Sequence, residues 1–197
     1  MATMILLPDG VSGHTFHWVA NTGVGTHKDA LGSDDGAVSY VACSSNGRYL
    51  TVTYANPSVA EEDIDFSVAP SVRFLSSGRS THRTTDSEVD ISFLTPTAGF
   101  LETASYDKHA SSYETINGTP RLTSDGSAAW TYSDLENLSL RCTKNGTIQI
   151  YLSYLALEVT YTAAAVGYTN DVIGVDSGDI SKINGIATAD IEKVNGV

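Results

Sequence analysis

Apolar and polar positions alternate with a period of two along much of the chain. In Tyr49–Tyr54, Leu50, Val52 and Tyr54 share one parity and Thr51 and Thr53 the other. Val89, Ile91 and Phe93 alternate with Glu88, Asp90 and Ser92, and Leu138, Leu140 and Cys142 alternate with Ser139 and Arg141. Successive side chains of a strand point to opposite faces, so each run predicts a strand with one buried face. Phe66, Val68, Val72 and Phe74 also share a parity, but Pro70 lies between them. Proline cannot donate to a ladder, so this stretch predicts an edge strand or two strands meeting at a bend.

The longest pattern runs from Thr147 to Thr162. Ile148, Ile150, Leu152 and Tyr154 form one apolar row; from Leu155 onward the row is Leu155, Leu157, Val159 and Tyr161. A strand changes its core face only by inserting a residue, which predicts a β-bulge or bend near Tyr154-Leu155-Ala156. Ahead of it, Lys144-Asn145-Gly146-Thr147 predicts a hairpin turn, since Asn-Gly suits the positive φ of a type I′ turn. Turn signals recur at Pro8-Asp9-Gly10, Asp34-Asp35-Gly36, Asn46-Gly47, Asn56-Pro57, Ser77-Gly78, Asn117-Gly118 and Asp125-Gly126. Ser133 to Leu138 predicts one capped helical turn, and Gly99 to Tyr113 is read as strand because Thr103, Ser105 and Tyr106 are indifferent helix formers. Many short strands with frequent turns predict an all-β fold, an antiparallel β-sandwich of jelly-roll-like type, over residues 1–166.

After Val166 the character changes, and no aromatic follows Tyr168. Asp179-Ile180-Ser181-Lys182-Ile183-Asn184-Gly185-Ile186 is answered, 190 − 179 = 11 positions later, by Asp190-Ile191-Glu192-Lys193-Val194-Asn195-Gly196-Val197. Two copies are too few for a solenoid. Ile180, Ile183, Ile186, Ile191, Val194 and Val197 are costly to leave in water, at about 1.5–3 kcal/mol for each such side chain. Residues 167–197 are therefore read as an extended tail that docks on a neighbouring chain or pairs with a sheet edge, with those six residues as its contacts.

Composition narrows the function. Against 11 Lys and Arg stand 23 Asp and Glu, a net charge of −12. That balance disfavours a nucleic-acid partner, because phosphate neutralisation needs a basic surplus. There is no apolar run of about 18 residues, so no membrane-spanning helix is expected, and the opening Met-Ala-Thr-Met-Ile-Leu-Leu-Pro lacks the basic flank of a signal peptide. Cys43 and Cys142 are read as two buried reduced thiols, with one long-range disulfide as the alternative. Walker, dinucleotide, His-Glu-x-x-His and nucleophile-elbow motifs are absent. His14 and His17 are spaced to offer two metal ligands, but no third or fourth accompanies them. Asp34 with Asp35, and Glu61-Glu62-Asp63, are read as solvated acidic rims, since the calcium-loop pattern is missing. No local spacing supports a carboxylate pair for glycoside cleavage. The reading expects no cofactor, no metal and no catalysis. Tyr106, Tyr113, Trp130, Tyr132, Tyr151 and Tyr168 are candidate rings for stacking on sugars, though strand tyrosines are more often packed.

One block joins Leu7-Pro8-Asp9-Gly10, Trp18, Gly32-Ser33-Asp34-Asp35-Gly36 and the strand from Ala37 to Ala42. A second runs from Ala129-Trp130-Thr131-Tyr132 through Leu138 into closing strands that end Tyr154-Leu155-Ala156-Leu157-Glu158-Val159-Thr160-Tyr161. Together with the Ile-Asn-Gly-Ile / Val-Asn-Gly-Val tail, they resemble a broad group of tailed-bacteriophage virion structural proteins with a jelly-roll-like sandwich. The resemblance spans most of residues 1–166 and, separately, the tail; Asn56 to Ser112 matches no family. It implies a non-enzymatic role in a particle assembled in the host cytoplasm. The first placement is capsid decoration or cement; a tail, neck, baseplate or fibre component is the alternative. The implied partners are other virion proteins, major capsid or tail proteins among them, and further copies of the chain in a homo-oligomer. A carbohydrate- or receptor-binding module is the rival reading from a different class, and a hydrolase of host-surface polysaccharide a third.

Overall fold

The computed structural model describes residues 1–14, 17–21, 26–35, 38–81, 88–95, 99–105, 113–124 and 127–164, with the backbone of 182–183 and 186–187. Two antiparallel sheets pack face to face. The first is ordered β3 (Trp18–Ala20), β4 (Val41–Cys43), β11 (Ile150–Tyr161), β6 (Ser71–Ser80), β9 (Glu114–Asn117), and β1 (Ala2–Leu6) also pairs with β11. The second is ordered β2 (Pro8–His14), β5 (Tyr49–Tyr54), β10 (Ser139–Asn145), β7 (Glu88–Leu94), β8 (Gly99–Ser105). The chain crosses repeatedly from one sheet to the other, so most neighbours in a sheet are distant in sequence. The fold is the expected antiparallel β-sandwich.

Parity explains the core. Leu50, Val52 and Tyr54 on β5, Val89, Ile91 and Phe93 on β7, and Leu140 and Cys142 on β10 all point inward and are buried. They meet Val72 and Phe74 of β6 and Ile150, Leu152, Leu155, Leu157 and Val159 of β11. Phe74 and Phe93 bridge the layers with ring centroids 6.3 Å apart. Large polar-tipped side chains enter the core only where their tips find acceptors. Trp18 Nε1 donates to the Arg48 carbonyl at 3.1 Å, Trp130 Nε1 to the Arg121 carbonyl at 2.8 Å, and the Tyr54 hydroxyl to the Leu155 carbonyl at 3.4 Å. One side of the sandwich is tied by Arg121 Nε donating to Glu102 of β8 at 2.8 Å. Gly118 sits at that seam, where a Cβ would stand 2.6 Å from the Phe74 ring and 2.8 Å from the Glu102 carboxylate.

The bulge on β11 is present and falls at Ser153, between Leu152 and Tyr154 in the register with β6. It lies one position before the stretch the sequence indicated, because Tyr154 belongs to the outward row and not to the inward one. The helical turn is α2 (Tyr132–Glu136), with Thr131 and Asp134 forming a reciprocal capping box. A second short helix, α1 (His27–Leu31), was not expected; Thr26 caps it, and it buries Ala30 and Leu31.

Two expectations are corrected. The stretch from Phe66 to Phe74 is not an edge strand or a bent pair. Residues Glu61–Asp63 form a 3-10 turn, Val68 is exposed, and only Ser71–Ser80 forms a strand, which lies inside the sheet between β11 and β9. Pro70 sits just before that strand, where its missing N–H costs no ladder bond. The Asn145-Gly146 turn is not a hairpin either, because β10 and β11 lie in different sheets. Gly146 has the anticipated positive φ of 72°, but the turn carries the chain across the sandwich. It is locked to the Asn46-Gly47 turn: Gly146 N–H donates to the Asn46 side chain at 3.1 Å, and Gly47 N–H donates to the Lys144 carbonyl at 2.8 Å. Lys144 is fully buried there, its ammonium donating to the carbonyls of Asn145 and Gly146.

Candidate functional site

Outward positions of the first sheet gather side chains that the core does not need. Tyr151 on β11 is paired directly with Arg79 on β6. Both lie on the parity opposite to the buried Ile150 and Leu152, so both face out. The Arg79 guanidinium carbon sits 4.1 Å from the centre of the Tyr151 ring and 5.3 Å from that of Tyr113, which precedes β9. On the other side, Tyr40, which precedes β4, meets Tyr151 edge-on with centroids 5.1 Å apart. The result is one row, Tyr40–Tyr151–Arg79–Tyr113, running across the strands. With neighbouring strands about 4.8 Å apart, three intervals make a row on the order of 14 Å long.

Local structure fixes each member. The Ser153 bulge puts Tyr151 and Tyr154 on the same outward side despite their odd spacing. Tyr40 is held by Asn21, whose side chain accepts from the Tyr40 N–H at 3.1 Å and donates to the Val38 carbonyl at 2.8 Å. Just upstream, the Asp35 carboxylate accepts from the Ser39 N–H and hydroxyl at 2.8–2.9 Å. The Tyr113 hydroxyl is buried beside Arg79 yet meets no donor or acceptor in hydrogen-bond geometry among the described residues. Burial pushes this phenol above its ordinary range, and the neighbouring guanidinium pulls part of the way back. Elsewhere on the same face, Arg73 and Glu158 pair at 2.6 Å.

Of the six rings named from sequence, Tyr113 and Tyr151 come together in this row. Trp130 is a core residue, and Tyr132 packs against the core with its hydroxyl donating to the Val59 carbonyl at 3.0 Å. Tyr106 and Tyr168 lie outside the described residues. Tyr40 and Arg79 were not singled out. The period-two pattern marks them as outward at best and says nothing of which strands are neighbours.

The remaining candidates do not converge. The His14 ring packs edge-on against His27 at 4.8 Å, while the His27 ring nitrogen meets the Trp18 carbonyl at 2.9 Å. No group of three or more metal-ligating side chains occurs among the described residues. Cys43 and Cys142 are both buried and unbridged. Burial pushes both thiols up, Cys142 to about 12.

Of the predicted docking residues, Ile183 lies on β12 (Lys182–Ile183) and Ile186 on β13 (Ile186–Ala187). These strands pair antiparallel, Ile183 opposite Ile186, as a two-stranded sheet separate from both sheets of the sandwich. Ile180, Ile191, Val194 and Val197 lie outside the described residues.

No protein-family model matches the chain, and no curated protein matches it. Among solved structures, the chain is similar to a Stig cyclase, Fisc from Fischerella sp. TAU (10% identity, 81% of this chain and 85% of that one, TM-score 0.42). It is similar to a family 29 carbohydrate-binding module, CBM29-2, in a mutant complexed with mannohexaose (11% identity, 80% and 91%, TM-score 0.37). A family 11 carbohydrate-binding module from Clostridium thermocellum, in complex with a mixed-linked tetrasaccharide, is similar at 17% identity over 78% and 94%, with a TM-score of 0.35.

Proposed function

We propose that this chain is a non-enzymatic structural protein of a tailed-bacteriophage particle, placed on the capsid surface as a decoration or cement subunit. A place in the tail, neck or baseplate is the alternative. The β12–β13 ribbon carries the reading. Among the described residues it comprises two residue pairs in a sheet of its own, and an isolated two-stranded ribbon is marginal in water. Its strands bring together Ile183 and Ile186, and the same Lys-apolar-Asn-Gly-apolar sequence recurs at Lys193 to Val197. Apolar residues at Ile183 and Ile186 would gain stability by being covered on a neighbouring subunit. The charge of −12 keeps unassembled subunits apart in solution.

The test is incorporation. A chain ending at residue 166 is expected to keep the urea midpoint of the sandwich and to be missing from purified particles; normal incorporation would refute tail docking. Replacing Ile183 and Val194 by Asp is expected to weaken attachment more than replacing Lys182 and Lys193 by Ala, since apolar burial outweighs exposed charge pairs. Equal losses would contradict that ranking.

A further inference from the structure

We propose that the outer face of the first sheet is a binding site for a linear neutral glycan, with Tyr151 and Tyr113 as stacking rings, Tyr40 as a side support and Arg79 as the donor between them. This goes beyond the attachment role and stands apart from the tail.

The fold does not require the row. Both sheets bury their inner faces without it, and none of its four members belongs to the buried core. The row gathers three rings at partly exposed positions of one sheet face. The row is also preorganised. Arg79 is clamped between two rings, and Tyr40 is fixed through Asn21 and the Asp35–Ser39 cap, so little side-chain freedom is lost when a ligand arrives.

Geometry selects an extended ligand. Small molecules favour enclosed pockets of roughly 300–1,000 Å³. The four members of the row are each partly exposed along the sheet, and two described hollows elsewhere include none of them in their linings. A row on the order of 14 Å long suits several consecutive sugar rings. A pyranose offers an apolar C–H face to an aromatic ring and hydroxyls at its rim. The phenols of Tyr40 and Tyr151 and the guanidinium supply the matching donors and acceptors.

Charge selects a neutral one. The chain carries −12 overall, and the row's single cation is already stacked on two rings. The net negative charge of the chain disfavours an acidic polysaccharide or a nucleic acid, which it repels within a Debye length of about 8 Å.

The test is electrophoresis of the full chain through gels containing linear β-mannan, mixed-linked β-glucan or polygalacturonate, followed by a printed array of neutral glycans. Retardation by at least one neutral glycan is expected, weakened tenfold or more in Tyr151→Ala and in Arg79→Ala. Tyr49→Ala, on the opposite face, should bind as the parent does, and Tyr151→Phe, which keeps the ring but loses its phenol, should lose less binding than Tyr151→Ala. Should Tyr151→Ala lower the unfolding midpoint, Tyr113→Ala at the end of the row serves in its place. Absence of binding to every neutral glycan, preference for polygalacturonate, or binding that survives all the Ala variants would each overturn the proposal. Particle incorporation is read separately, so failure here leaves the attachment role standing.

Discussion

The outer face of the second sheet offers a useful contrast with that of the first. There, Tyr49 of β5 lies under Arg141 of β10 at 5.0 Å, and Arg141 Nε donates to Thr51 at 3.3 Å. Its described neighbours include Thr53, Ser92, Asp90 and Thr143, all polar. On the first sheet, three tyrosines and an arginine from four separate stretches of chain are lined up across the strands. Both sheets bury an apolar inner row, so core burial alone does not account for the difference between their outer faces. The gathering of rings on the first sheet is the observation on which the proposed glycan site rests.

Deleting Ser153 should be the most damaging way to break the contrast. Without the bulge, one half of β11 must reverse its faces, sending either Ile150 and Leu152 or the Leu155 row outward. Two such side chains alone amount to about 3–6 kcal/mol, and urea denaturation should show an unfolded or severely weakened chain. A stable deletion variant would mean that the bulge does not set which residues face out. Phe74→Ala should cost about 3–5 kcal/mol and, because Phe74 packs on Phe93 across the layers, should lower stability in a single transition seen equally by probes on both sheets. Separate transitions would show that the faces are independent units.

Alkaline pH probes the shared interior. The Cys142 thiol ionises near 9.0 when unfolded and near 12 when buried. Ionisation therefore favours the unfolded chain: stability is fully present below about pH 9 and is lost as pH rises toward 12. In Cys142→Ala the decline over that window should be shallower; an unchanged slope would assign it to other groups, such as the buried Tyr54, whose phenol burial also pushes up. Thr131→Ala should cost about 1 kcal/mol by removing the cap of α2. Smallest of all, Arg73→Ala should cost about 1 kcal/mol or less, its pair with Glu158 being partly exposed. It should also leave glycan binding intact. A large binding loss there would extend the site along the sheet.

How much of this was legible in the sequence follows from what periodicity encodes. Parity alone gave the inward sets of β5, β7 and β10, and a change of parity gave the bulge to within one residue. It failed where alternation continued by chance across Pro70, pairing Phe66 and Val68 with a strand to which they do not belong. It also missed α1, whose signal, Thr26 three residues before Asp29, is too local for a hydrophobic pattern to register. The candidate face was half visible. Tyr113 and Tyr151 could be named as rings, but so could Trp130 and Tyr132, whose polar tips turn out to serve the packing. Tyr40 and Tyr151 are 151 − 40 = 111 positions apart, and only strand order makes them neighbours.

The terminal ribbon is proposed to lie on a neighbouring subunit, and the tyrosine-bearing face to stay open to solvent. Cryo-electron microscopy of particles carrying the chain tests both halves in one measurement. The account predicts density for residues 180–197 lying against a neighbouring subunit, with Tyr40, Tyr113 and Tyr151 turned to the solvent. Density that seats the tyrosine face on the particle, with the terminal residues touching no neighbour, would contradict it.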